Sequence, residues 1–123
     1  MALVLDAGAL IAIDRRDRHV IARLVAAHED RVPVRTSTTA VAQVWRNGAR
    51  QATLARVLRG VDEVAVDSVQ ARSIGTLLAK TKASDVVDAA IALLARADDE
   101  ILTSDPTDLK LLVRGRGVRV TAI

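Results

Sequence analysis

Short aliphatic runs alternate along this chain with longer stretches in which apolar residues recur every three or four positions. Leu3-Val4-Leu5, Val32-Pro33-Val34, Val64-Ala65-Val66, Ile101-Leu102-Thr103 and Val118 to Ala122 read as five strands. The turn Asp6-Ala7-Gly8-Ala9 leads into a helix with Leu10, Ile11 and Ile13 on its buried side, and the charged segment 14–18 breaks the pattern. Val20, Ile21, Leu24 and Val25 then mark a second helix that frays at Glu29-Asp30. Thr36-Ser37-Thr38-Thr39 caps a helix through Val41, Val44 and Trp45, which Asn47-Gly48 ends. Gln51 to Leu58 forms a short helix stopped by Gly60, and Asp67 or Ser68 caps the one carrying Val69, Ile74, Leu77 and Leu78. Ser84 caps a helix over 85–97. Asp105-Pro106, a cap followed by proline at the first helical position, starts the last helix, which holds Leu109, Leu111 and Leu112 and ends near Gly115. Strands alternating with helices predict a parallel sheet covered on both faces, in a single domain over 1–123.

Composition adjusts this picture only slightly. Half of the 123 residues are hydrophobic and Trp45 is the only aromatic, so the core is built from Ala, Val, Leu and Ile. There is no cysteine, which excludes disulfides and thiolate chemistry. No leader and no apolar stretch of membrane-spanning length is evident, so a cytoplasmic protein is expected. The net charge of +3 rests almost wholly on arginine, with Lys80, Lys82 and Lys110 the only lysines. A coding bias toward Arg and Ala accounts for this; phosphate binding is compatible with it.

The candidate chemistry is carboxylate chemistry. Two of the strands run into aspartates, Asp6 and Asp105, and Asp85 and Asp88 share a face of the first turn of a helix. Asp6 and Asp105 each have an ordinary role as a helix cap, and Asp85, one residue from the cap, is favoured by the helix dipole. Gathered at the carboxyl edge of a parallel sheet, where ligands of such sheets bind, they would repel one another unless a hard cation with oxygen ligands sat among them. The two histidines, His19 and His28, lack metal-ligand spacing, and no Ser/His/Asp arrangement suggests a nucleophile.

Four segments, LVLDAGALIAID, TSTTAVAQVWRNG, DVVDAAIALLA and ILTSDPTDL, in that order and spacing, resemble the PIN-domain ribonucleases of the VapC toxin type over essentially the whole chain. The resemblance implies a PIN-like three-layer α/β/α sandwich around a central, mainly parallel five-stranded sheet. It implies a Mg²⁺-dependent endoribonuclease (Mn²⁺ as substitute), the toxin of a type II toxin–antitoxin pair, with an RNA substrate, a VapB-type antitoxin and a homodimer. By position, Asp6, Asp88 and Asp105 become catalytic and metal-binding, and Thr103 and Ser104 match the polar pair before the last aspartate. Arg46 is a candidate phosphate clamp. One departure stands out: the family's glutamate in the helix after the second strand is matched here by Gln43, which brings no negative charge. Asp85 is the favoured compensating group, with Asp108 the other candidate. A PIN-like RNA-binding module with impaired catalysis is the alternative; phosphoryl transfer on another acidic α/β fold ranks below both, for want of a strand-end lysine.

Overall fold

A computed structural model describes residues 1–123. Five strands, β1 (Leu3–Leu5), β2 (Val34–Ser37), β3 (Asp62–Val64), β4 (Glu100–Thr103) and β5 (Arg119–Ala122), form one sheet in the order β3-β2-β1-β4-β5, every pair parallel. Seven helices connect them: α1 (Ala7–Asp14), α2 (Arg18–Glu29), α3 (Thr38–Val44), α4 (Ala52–Leu58), α5 (Ser68–Thr81), α6 (Val86–Leu94) and α7 (Pro106–Leu112). The chain steps outward from β1 through β2 to β3, then returns to the other side of β1 for β4 and β5. Right-handed crossovers made in opposite directions put their helices on opposite faces. Accordingly α1 packs with α2, α3 and α4, while α6 packs with α5 and α7. This is the three-layer α/β/α architecture expected.

The central strands are short aliphatic runs because both of their faces are covered. Leu3, Val4, Leu5, Ile101 and Leu102 are all buried in one core with Ala9, Leu10 and Ile13 of α1 and Ile91 and Ala92 of α6, while Ala89 and Ala90 of α6 pack with Ile74 of α5. Two strands lie where polar residues mislead a hydrophobic reading. β2 begins two residues later than Val32 and ends three beyond Val34, because Thr36 is fully buried, its hydroxyl donating to the Leu5 carbonyl at 2.7 Å. β3 is Asp62–Val64 rather than Val64–Val66, since an edge strand tolerates exposed charge. Ile11 and Val25, expected inside, are exposed, and the cap of α6 is Asp85 rather than Ser84.

The two ends of the sheet differ in how they handle charge. At the amino edge, Glu100 bonds to Arg23 and Thr121, and Arg119 stands nearby. Burial works to raise its pKa, but those hydrogen bonds and positive charges prevail and hold it below the usual glutamate value. The carboxyl edge has no such partners.

Candidate metal centre

The point where the strand order reverses lies between β1 and β4, which pair through Leu3–Glu100, Val4–Ile101 and Leu5–Leu102. Asp6 and Asp105 follow the carboxyl ends of these two neighbouring strands. Open α/β sheets bind ligands in the crevice at such a point.

Asp6 is the N-cap of α1, with Oδ1 accepting from the Ala9 N–H at 2.8 Å, and it is only 2% exposed. Burial raises its pKa; the Thr103 hydroxyl and the N–H groups of Ala9, Ser104 and Gly8 work against that rise. Asp105 caps α7 ahead of Pro106 and accepts from the Asp108 N–H at 3.4 Å. The Thr103 hydroxyl in turn accepts from the Asp105 N–H at 2.8 Å. Thr103 therefore stands between two of the aspartates and fixes the turn that carries the second. Asp85 caps α6 by accepting from the Asp88 N–H at 3.0 Å.

Asp88 is the centre of the group. Its pKa is pushed up to about 6, first by burial and then by the charges of Asp85, Asp6, Asp105 and Asp108. Asp108 is also raised, by its hydrogen bond to Asp105 and the charge of the same residue. No lysine or arginine forms an ion pair with any of these five carboxylates. Carboxylate oxygens of Asp88, Asp105 and Asp108 lie within 4.8 Å of one another. Crowded, half-solvated oxygens with no protein cation are the donor set that a hard divalent ion takes.

The sequence reading named Asp6, Asp88 and Asp105, with Asp85 favoured as the extra carboxylate. The close grouping takes in Asp88 and Asp105 and adds Asp108; Asp6 lies buried beside it and Asp85 is engaged in its cap. The signal for Asp108 was its spacing of three from Asp105, which puts both on one face of the first turn. Ser104 is exposed beside Gly8, and Thr103 is buried. Gln43 is exposed on α3. Arg46 lies just beyond α3 and folds its guanidinium back, donating to the carbonyls of Ala42 at 3.2 Å and Trp45 at 2.7 Å.

No protein-family model matches the chain, and no curated protein does. Among solved structures, its fold is similar to that of a chain in the crystal structure of VapBC2 from Rickettsia felis bound to a DNA fragment from their promoter. The TM-score is 0.67 over 99% of this chain and 98% of that one, at 9% sequence identity. The likeness is one of fold. No helix is long and apolar enough to cross a membrane.

Proposed function

We propose that this chain is a Mg²⁺-dependent endoribonuclease, the toxin of a VapBC-type toxin–antitoxin pair. The observation that carries the reading is the convergence of Asp88, Asp105 and Asp108 on one point with no protein cation among them. The fold likeness to a VapBC complex supports the pairing with an antitoxin. A homodimer goes with the same reading.

Asp88, Asp105 and Asp108 would hold the ion, with Mn²⁺ as a substitute. Bound there, the ion would supply a water of lowered pKa and positive charge for the scissile phosphate. Asp105 is oriented for its part by the α7 cap and by Thr103. Asp6, buried beside them, adds negative charge behind Asp88 and fixes the start of α1. Asp108 takes the place left by Gln43 in supplying a fourth carboxylate. Its supporting observation is that it forms one close group with both Asp88 and Asp105, whereas Asp85, though its charge also bears on Asp88, gives an oxygen to the cap of α6.

Purified protein is expected to cut single-stranded or looped RNA in Mg²⁺, and EDTA should stop it. At neutral pH, Mg²⁺ should also raise the melting temperature, because the folded state alone gathers the ligands. No cleavage together with no thermal shift sinks the proposal. Gln43→Glu separates it from the impaired RNA-binding module: a site completed by Asp108 gains less than about threefold in rate, under 1 kcal/mol of barrier. A gain of orders of magnitude would mark this chain as a degenerate nuclease.

A further inference from the structure

We propose that the loops 14–18 and 45–51 together form an arginine surface that grips the phosphate backbone of single-stranded RNA beyond the cleavage point. The inference rests on the nuclease reading and extends it to a second region of the molecule. Gln51 joins the two loops. It is buried, its Nε2 donates to Asp14 Oδ2 at 3.3 Å and to the Val44 carbonyl at 3.0 Å, and its Oε1 accepts from the N–H groups of Arg46 at 2.7 Å and Asn47 at 3.0 Å. The two segments joined by this clasp carry Arg15, Arg16, Arg18, Arg46 and Arg50, all exposed and none in an ion pair, with the Arg46 guanidinium resting on the carbonyls of Ala42 and Trp45. The segments hold only two acidic residues, and both are occupied: Asp14 accepts from Gln51, and Asp17 caps α2 by accepting from His19 and Val20 at 3.0 Å each.

Two of these arginines sit where local rules oppose them. Arg16 has φ 60, in the left-handed position that ends α1; its N–H donates to the Ile13 carbonyl and the Asp17 N–H to the Ala12 carbonyl, both at 2.9 Å. Glycine is the unstrained residue for that position. Arg31 and Lys82 share this backbone feature, so strain alone decides nothing. Arg18, however, opens α2 with a positive charge at the positive end of the helix dipole, and no acid lies in that first turn. Charge concentrated against local preference is explained by a polyanion that binds it.

The surface is separate from the carboxylates. The eight residues of α1 set Asp14 about 12 Å from Asp6. That exceeds the Debye length of about 8 Å at physiological ionic strength. The two regions therefore act on different phosphates of one strand, and the arginines offset the repulsion between RNA and the carboxylates. Trp45 lies on the same segment and is 38% exposed, with its ring against Gly48 and beside Val41, Ala55, Leu58 and Arg59. A cationic segment that also carries an exposed aromatic favours a single strand over an acidic protein.

The experiment titrates short oligo-uridine into the protein in EDTA, following the fluorescence of Trp45, the only tryptophan. Binding by wild type is compared with the triple variant Arg15→Ser, Arg16→Gly, Arg50→Ser. Arg16→Gly relaxes the backbone, so a melting temperature held or raised rules out misfolding as the cause of any loss. The triple variant is expected to bind roughly tenfold more weakly, three exposed contacts each being modest. Its salt dependence should be shallower by about 2 in log–log slope. Unchanged affinity and slope overturn the proposal, as does an equal loss of binding to polyglutamate. If wild type cuts no RNA in Mg²⁺, the nuclease reading fails, while the binding comparison still decides the arginine surface.

Discussion

Asp88→Asn is expected to reduce Mg²⁺-dependent RNA cleavage by about three orders of magnitude and, in the metal-free protein, to raise the melting temperature at pH 7.5. The rate loss is on the scale of removing one preorganised electrostatic group from an active site. The gain in stability has a separate origin. Four neighbouring carboxylates and burial push Asp88 up to about 6, above the ordinary aspartate value. The folded chain thus holds this proton more tightly than the unfolded chain. The stability that follows is complete below the ordinary carboxylate range and is lost as pH rises through about 6. At pH 7.5 wild type has lost it; asparagine, neutral throughout, never carries the repelled charge. Thermal melts at pH 5 and 7.5 check this: the wild-type melting temperature should fall between them, and the variant's should fall less. Mg²⁺ should stabilise wild type at pH 7.5 and the variant much less. A variant that still cuts RNA, or that melts lower than wild type at pH 7.5, contradicts the role assigned to Asp88.

The second large effect is expected from Gly8→Ala, a substitution that helix propensity alone would favour by roughly 0.5–1 kcal/mol. A Cβ on Gly8 would lie 2.0 Å from Ser104 Oγ, 2.5 Å from Ser104 Cβ and 3.2 Å from the Ser104 backbone nitrogen. The hydroxyl can rotate away; the Cβ and nitrogen move only with the β4–α7 turn. Overpacking of this kind costs about 1–3 kcal/mol, so the net result should be a melting temperature lower by several degrees. The same displacement separates the turn bearing Asp6 from the turn bearing Asp105, so cleavage should fall with stability. Ser104→Gly in the same chain removes both close side-chain atoms and should restore most of the loss. A Gly8→Ala protein as stable as wild type would show that the two turns are not in this register.

The elements that patterning identified best are those whose signal is local. Asp105-Pro106, the helix start at Asp67 or Ser68 (the structure makes Asp67 the cap), and the run Leu3-Val4-Leu5 each carry their own physical reason for being where they are. β2 and β3 were displaced by two or three residues because their cause is tertiary. Thr36 is buried only because Leu5 offers it a carbonyl from the next strand, and Asp62 is in a strand only because Arg35 pairs with it in register. The site divides the same way. Their places at strand ends made Asp6 and Asp105 visible as candidates, and the acidic pair on one helical turn did the same for Asp85 and Asp88. The adjacency of β1 and β4, on which their meeting depends, is a property of the sheet order. Asp108 drew little weight because its spacing from Asp105 is equally that of an ordinary helix start. Gln51, a lone amide before a short helix, gave no hint that two loops hang on it.

Three aspartates of the carboxyl edge are bound to the backbone in one way. Asp6, Asp85 and Asp105 each commit Oδ1 to the N–H three residues ahead, while the side chain of Asp88 receives no such bond. A capped carboxylate is held in one orientation, with one oxygen already engaged by the backbone. Larger cations such as Ca²⁺ gain much of their affinity from carboxylates that close on them with both oxygens, whereas Mg²⁺ is content with single oxygens and retained waters. The helix starts therefore do more than begin helices. At Asp105, the one cap among the proposed ligands, the helix start ties down an oxygen, so in the proposed site this ligand would suit an ion that is content with single oxygens.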